Sequence, residues 1–163
     1  LIDALVARYA GANGSDVPQQ LTTLRASFED SLRRLRRSQV EWLLAHDPAA
    51  ESGLYQTEAT FKAWVAEGLV NSYGVGSVAP VTGFGSFGTV RQGPWRERLG
   101  CDVLPSAFRS HFGVIRGGGN GSSPGDAREA RGRLEFALSE RPDDLILVSA
   151  GTPARLRELL SDL

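Results

Sequence analysis

A chain of 163 residues, of which 41% are hydrophobic and 23% are charged, is long enough and apolar enough to bury the core of one ordinary globular domain. Its 18 basic and 19 acidic residues leave a net charge of -1, whereas a dedicated nucleic-acid binder usually carries a basic excess. The single cysteine excludes an intrachain disulfide, and one cysteine with two histidines supplies too few soft ligands for a structural zinc site.

Two further classes are excluded by residue usage. No stretch reaches the roughly 18 apolar residues of a membrane span, so we expect a soluble protein of undetermined compartment. Lys62 is the only lysine and does not follow a glycine, which excludes a P-loop.

Because methionine is absent and Leu1 stands first, we expect a processed or trimmed piece of a longer polypeptide.

The first part of the chain predicts two helices. Residues 1–11 form an amphipathic pattern that favours a short helix. A longer helix is predicted from Asp16, a good N-cap, because Gln19 stands at the capping-box spacing three residues on. The apolar residues of this second helix recur at steps of three and four and comprise Leu21, Leu24, Phe28, Leu32, Leu35, Trp42 and Leu43.

The second helix is predicted to end before Pro48, because a proline disfavours helical geometry in the residue that precedes it. After a break, a third helix is predicted over residues 55–73, with Gly74 as its C-terminal stop. Its inward-facing residues are Phe61, Trp64, Val65, Leu69 and Tyr73. The first 74 residues therefore predict a mostly helical unit.

The densest positive cluster lies on the outer face of the second predicted helix and comprises Arg33, Arg34, Arg36 and Arg37. Acidic residues at helical spacing, such as Glu29 and Asp30, favour a solvated, ion-paired face. Contact with a nucleic acid or an acidic partner is the alternative. With Arg91, these four arginines are the candidate partner-contact or nucleic-acid-contact residues of the chain.

Residues 73–91 alternate glycines, aromatic residues and β-branched residues, and the pattern predicts a β-hairpin or a bent strand pair. Gly83, Gly85 and Gly88 allow positive φ or close backbone approach at a turn or bulge. Pro80 indicates an edge strand, since proline cannot donate a ladder hydrogen bond. We expect this hairpin to be the centre of a small antiparallel sheet.

The last third of the chain predicts shorter elements. A helix is predicted over residues 106–112, and residues 114–115 favour a short strand. Residues 117–125 form a glycine- and serine-rich loop. A helix over residues 126–139, a buried strand over residues 145–149 and a final helix capped by Thr152 follow. We predict a core domain of residues 1–116 and a C-terminal unit of residues 126–163 packed on it.

No catalytic, cofactor-binding or metal-ligating residue is predicted, and we predict no cofactor. The loop after Ile115 lacks the third glycine of a dinucleotide fingerprint, because position 122 is Ser122. Ser149 lies where a hydrolase nucleophile would lie, but both histidines precede it in the chain. A thiolate pair of Cys101 with His111 stays open, although a lone cysteine is more often a small buried residue.

The order of helix, break, helix and G-F-G-S-F motif at residues 83–87 resembles the core of the bacterial HU and integration host factor family. That resemblance covers residues 38–91. It implies a dimeric fold whose long β-arms bind the DNA minor groove. The residues after the motif, R-Q-G-P-W-R-E-R-L-G, do not match the DNA-binding arm of that family.

Taken together, these patterns predict an α+β fold, mostly helical, with a small antiparallel sheet and a C-terminal helix-strand-helix unit. The leading functional hypothesis is a non-enzymatic interaction or structural assembly module, with other protein chains or a second copy as partners. An HU-like architectural DNA-binding protein is the second hypothesis. An enzyme with a phosphate-ligand site at residues 117–123 is the third.

Overall fold

The computed structural model describes residues 4–8, 17–48, 51–78, 86–95, 108–116 and 127–161. The strands are β1 (Ala4–Arg8), β2 (Val40–His46), β3 (Val70–Gly76), β4 (Val90–Pro94), β5 (Phe108–Phe112) and β6 (Leu145–Ile146). The helices are α1 (Val17–Leu35), α2 (Glu51–Ala66), α3 (Ala127–Glu140) and α4 (Pro153–Leu160), with a 3-10 turn at Val114–Arg116. None of the helices within these ranges is long and apolar enough to cross a membrane.

The strands form one six-stranded sheet in the order β1-β2-β3-β4-β5-β6, and every neighbouring pair is parallel. Each strand therefore lies beside the next strand in the chain. Parallel neighbours cannot be joined by a tight turn and need a crossover connection. Helices α1, α2 and α3 lie in three of these crossovers.

The sheet has a helix face and an inner face. On the helix face, side chains of β2 and β3 pack with α1 and α2; this core comprises Phe28, Leu32, Val40, Leu43, Ala45, Leu54, Phe61, Trp64, Val70, Tyr73, Val75 and Phe87. On the inner face, Trp42, Leu44 and Val90 form a separate buried cluster with Leu145. Successive residues of a strand point to opposite faces of the sheet, and β2 is buried on both faces. Its sequence is therefore mostly apolar instead of alternating between apolar and polar residues.

The expected α+β class with an antiparallel sheet is wrong, because the sheet is parallel throughout the part of the chain that the structure describes. The expected hairpin over residues 73–91 is also wrong: Gly74 pairs with Val90 in the parallel ladder of β3 and β4. Alternating apolar residues indicate a strand but carry no information on the direction of its partner. Gly83 and Gly85 lie outside the described residues.

Two predicted helices are strands or include a strand. Residues 4–8 are β1, and the second helix ends at Leu35 rather than near Pro48. Arg36 has φ 55°, outside the helical region, and Val40–His46 then forms β2. The run V-E-W-L-L-A-H fits a helical stripe as well as a strand buried on both faces.

Similar corrections apply further along the chain. The third helix ends at Ala66, and Gly68, at φ 73°, turns the chain into β3. The helix expected over residues 106–112 contains β5, and the strand expected at residues 114–115 is a 3-10 turn. The cap predicted for the last helix agrees with the structure: α4 begins after the N-cap Thr152, whose side chain accepts from the Arg155 N–H.

The strand of the predicted C-terminal unit is β6, which pairs with β5 and so belongs to the common sheet. Helices α3 and α4 pack together through Ala130, Leu134 and Leu159, against Ile115, Ile146 and Val148. The division of the chain at residues 117–125 stays a prediction, because that loop lies outside the described residues.

Candidate functional site

A row of register partners that starts at the carboxyl ends of β1, β2 and β3 is the place to look for a ligand. In parallel sheets, ligands bind outside the carboxyl ends of the strands. The register joins Arg8, His46, Gly76, Gln92, Ser110 and Leu145, one residue from each strand in sequence. By strand alternation, His46 shares the inner face with Leu44, and Gln92 shares it with Val90. The row therefore places an imidazole and a carboxamide on one face.

Gly76 brings the side chains of His46 and Gln92 close to one backbone position on the strand between them. A Cβ at Gly76 would lie 3.1 Å from Gln92 Oε1 and 3.6 Å from His46 Cδ2. Cδ2 is bonded to Nε2, so this edge of the imidazole ring borders the same position. The absence of a side chain at Gly76 therefore allows the imidazole and the carboxamide to lie close on either side of it.

The second ring nitrogen of His46, Nδ1, contacts the carboxylate of the next residue. It lies 2.8 Å from Asp47 Oδ2. The second carboxylate oxygen, Asp47 Oδ1, accepts hydrogen bonds from Ser77 Oγ and from the Val78 N–H, both at 2.9 Å. One carboxylate thus connects the end of β2 with the residues that follow β3.

Ser110 is a buried polar residue of the same row. Its side chain is fully buried, and Oγ has no hydrogen-bond partner among the residues that the structure describes. Buried hydroxyl groups are normally hydrogen-bonded, to protein or to ordered water. Its neighbour in register, Gln92, is also buried.

A cavity of about 220 Å³ lies at the carboxyl ends of β5 and β6. It is lined by Phe112, Gly113, Ile115, Leu147, Val148 and Ser149. Helix α4 begins a few residues further on, after the N-cap Thr152. The cavity and the row around Gly76 are therefore at the same edge of the sheet.

A second polar cluster surrounds Asp144, just before β6. Its carboxylate is 3% exposed and accepts hydrogen bonds at 2.8 Å from Arg109 Nε and from His111 Nε2. Arg141 adds a longer contact of 3.5 Å. His111 is completely buried, with the Trp95 ring edge-on at 5.3 Å and no partner for Nδ1 in the described part of the chain.

Burial lowers the pKa of His111 below its ordinary value, and this effect outweighs the opposing hydrogen bond with Asp144. A proton on the unpartnered Nδ1 would be a buried donor without an acceptor, which agrees with that direction. Burial alone would raise the pKa of Asp144, but the hydrogen bonds from Arg109 and His111 outweigh it, so the pKa falls below 3.8.

We expect the free energy of unfolding to decrease as the pH falls below about 6.5. The unfolded chain then takes up a proton at His111 that the folded protein resists, and a second loss follows below pH 3.8 from Asp144. Urea unfolding midpoints at pH 8, 6.5 and 5.5 measure the first loss. The variant His111→Asn should show a flatter pH dependence, and a wild-type midpoint that rises from pH 8 to 5.5 contradicts this prediction.

The predicted contact residues lie elsewhere. Arg33, Arg34, Arg36 and Arg37 are exposed at the end of α1, and Arg33 and Arg34 both pair with Asp30. Arg91 is 3% exposed, and its Nη1 donates to the carbonyls of Phe87, Gly88 and Val90, so this guanidinium is not at the surface. A partner contact at the four exposed arginines stays a prediction.

The sequence interpretation missed His46, Asp47, Gly76 and Gln92. A usable signal was present, because polar residues that directly follow a buried parallel strand lie at the ligand-binding edge. The signal was lost when V-E-W-L-L-A-H was assigned to a helix.

Among the described residues, no group of three or more His, Cys, Asp and Glu side chains is placed to hold a metal ion.

Comparison with known proteins identifies the fold. No protein-family model matches the sequence, and no curated protein sequence matches it. The solved structures that resemble it include an aldo-keto reductase enzyme from a deep-sea metagenome library (TM-score 0.65, 15% identity, covering 96% of this chain and 63% of that one). An aldo-keto reductase from Brucella melitensis gives a TM-score of 0.64 at 15% identity, with 96% and 65% of the two chains covered.

A third neighbour is the apo form of an aldo-keto reductase from Bacillus halodurans, with a TM-score of 0.65 at 13% identity over 96% of this chain and 65% of that one. Across the structural neighbours compared, this chain spans from 58% to 67% of their length. At these identities the likeness establishes the fold, a parallel α/β arrangement similar to a (β/α)8 barrel.

These neighbours overturn several expectations. The fold is not that of the HU and integration host factor family, and the resemblance at residues 83–87 is coincidental. A fold shared with these reductases contradicts both the non-enzymatic assembly module and the HU-like DNA-binding protein as functional hypotheses. The phosphate-ligand loop at residues 117–123 lies outside the described residues.

Proposed function

We propose that this chain forms part of an oxidoreductase that reduces a carbonyl group, with His46 as the side chain that exchanges a proton with the carbonyl oxygen. The observation that carries the proposal is the position of His46. It lies at the carboxyl end of β2, beside Gly76, in a fold shared with aldo-keto reductases. Since fold alone does not imply function, the argument rests on the side chains of this edge.

Reduction of a carbonyl group adds a hydride to carbon and a proton to oxygen. Histidine is the side chain whose protonation changes most readily near neutral pH, and it is the commonest general acid or base. His46 is partly buried, with 23% of its side chain exposed, so its ring can meet both solvent and a bound ligand. The ring edge beside Gly76 is the part that can reach a carbonyl oxygen.

A reductase of this kind needs a hydride donor, and a reduced nicotinamide supplies a hydride when it is bound. The residues present fit such a group. The carboxamide of Gln92 can both donate to and accept from a second carboxamide, such as that of a nicotinamide. The cavity at Phe112 and Val148 lies at the carboxyl ends of β5 and β6, the edge at which barrels of parallel strands bind their ligands.

Two measurements on the purified protein test the proposal. Titration with reduced nicotinamide dinucleotides, followed by their fluorescence, measures cofactor binding. The loss of absorbance of the reduced nicotinamide, in the presence of a panel of aldehydes and ketones, measures turnover. The proposal is abandoned if the folded protein neither binds a nicotinamide dinucleotide nor consumes it with any carbonyl compound.

Replacing His46 by glutamine should lower kcat for the best carbonyl substrate by about a hundredfold, the lower end of the usual contribution of acid-base catalysis. Glutamine retains hydrogen-bonding groups but cannot exchange a proton near neutral pH. We expect cofactor affinity to change by less than about threefold, which is about 0.6 kcal/mol. Equal kcat values for the variant and the wild type would exclude His46 from the proton transfer.

A further inference from the structure

We propose that Asp47 is a positioning residue that fixes the orientation and the protonated nitrogen of the His46 ring. This inference rests on the proposed function, because it assigns to Asp47 a part in the same reaction. Asp47 Oδ2 lies 2.8 Å from His46 Nδ1 and, as a carboxylate oxygen, can only accept a hydrogen bond from it. The neutral ring then carries its proton on Nδ1, and Nε2 is left as the nitrogen that faces a ligand.

The Asp47 carboxylate can hold the ring because it is itself held. Its Oδ1 accepts from Ser77 Oγ and from the Val78 N–H, both at 2.9 Å. Its own backbone N–H donates to the Gly76 carbonyl at 2.8 Å. Three hydrogen bonds thus join Asp47 to the end of β3 and determine where Oδ2 lies.

Asp47 adopts an uncommon backbone conformation to do this. Its φ is 45°, in the left-handed region that residues other than glycine adopt uncommonly. Aspartate and asparagine tolerate this region better than most residues. The conformation turns the side chain back toward both His46 and Ser77.

The contribution of the His46–Asp47 ion pair to the stability of the protein does not by itself account for this arrangement. The side chain of Asp47 is 43% exposed, and an exposed ion pair contributes little to the free energy of unfolding. The left-handed backbone conformation of Asp47 adds no stability of its own. The measurable consequence of the His46–Asp47 contact is therefore the state of the imidazole ring.

That state suits the proposed reaction. When the ring is charged, Nε2–H can give its proton to a carbonyl oxygen while Nδ1–H stays bonded to Asp47. The neutral ring that remains already has its proton on Nδ1, so no rearrangement is needed. An aspartate has the same role in hydrolase triads, where it holds the histidine ring in the correct tautomer.

Asp47→Asn separates this role from a structural one. The amide oxygen of asparagine must take the Oδ1 position, because the Val78 N–H there requires an acceptor. The amide NH2 then faces His46 Nδ1 and donates to it. Nδ1 becomes an acceptor, so the neutral ring should carry its proton on Nε2, and the charged ring loses its partner.

The test measures the nitrogen-15 chemical shifts of the two His46 ring nitrogens by NMR, together with kcat and KM. We expect protonated Nδ1 in the wild type and protonated Nε2 in Asp47→Asn. We expect kcat to fall by tenfold to a hundredfold, with KM changed by less than threefold. A matched control is Asp143→Asn, an exposed aspartate just before β6 and four strands away from β2 in the sheet, which should change neither quantity.

Asp47→Gly is the second variant, since glycine keeps the left-handed backbone without strain and removes the carboxylate. It should also abolish the preference for protonated Nδ1. The inference is overturned if the ring nitrogens are unchanged in both variants, or if they change while kcat does not. Because NMR requires no turnover, a wild type with protonated Nδ1 and no reductase activity refutes the proposed function while leaving the His46–Asp47 geometry established.

Discussion

Replacing Gly74 by alanine is expected to destabilise the protein by more than about 4 kcal/mol, the range reserved for severe single substitutions. A Cβ at this position would lie 1.8 Å from the Val90 carbonyl oxygen, well inside the 3.0 Å below which real Cβ contacts are essentially never found. Both atoms are held by the backbone, because Gly74 and Val90 are partners in the ladder of β3 and β4. No side-chain rotation can relieve the overlap.

The free energy of unfolding, measured by urea denaturation and circular dichroism, tests this expectation. Gly132→Ala is the matched control: it makes the same chemical change in the interior of α3, where a Cβ would meet nothing within 4 Å. That variant should be more stable than the wild type by about 0.5–1 kcal/mol, since alanine is the better helix former. A Gly74→Ala variant as stable as Gly132→Ala would show that β3 and β4 do not pair as described.

Replacing Asp144 by alanine should cost about 3–5 kcal/mol, because breaking a buried ion pair by removing one of its partners is strongly destabilising. The carboxylate bonds to both Arg109 and His111, and its side chain is 3% exposed. After the substitution, Arg109 loses its hydrogen bond to Asp144, and neither ring nitrogen of the buried His111 has a partner among the described residues. Both residues lie on β5, so we expect the pairing of β5 with β6 to weaken first.

Asp30→Ala provides the comparison for Asp144→Ala. Asp30 also binds two arginines, Arg33 and Arg34, but on the exposed surface of α1. Surface pairs contribute at most about 1 kcal/mol, so this variant should remain near wild-type stability. Hydrogen exchange of the β5 amides locates the effect, and equal unfolding free energies for the two variants would show that Asp144 is not buried in solution.

Part of the fold was accessible from sequence patterns. The helix expected over residues 126–139 is α3, and the Thr152 cap marks the start of α4. These predictions depend on interactions within a few residues of the chain, such as a side chain that accepts from the third N–H along. Burial along the same helix depends on its neighbours in the fold, since Leu156 and Leu160 of α4 are exposed while Leu159 is buried.

The candidate site could not be predicted from local sequence patterns. His46 and Gln92 are distant in the chain and become neighbours because β2, β3 and β4 pair in register. Gly76 matters because of what lies on either side of it, and those residues belong to other strands. Likewise, the sequence placed Arg91 among exposed arginines, whereas the structure buries its guanidinium against the carbonyls of its own turn.

The sequence by itself determined the charge balance, the apolar segments and the cap of the last helix, because these depend on composition and on local hydrogen bonds. Only the tertiary structure decided that Val40–His46 is a strand and that Val70–Gly76 runs parallel to Val90–Pro94. A short apolar run satisfies a helix or a strand buried on both faces equally well. The choice depends on which distant segments cover it, and the same distant pairing brings His46, Gly76 and Gln92 together.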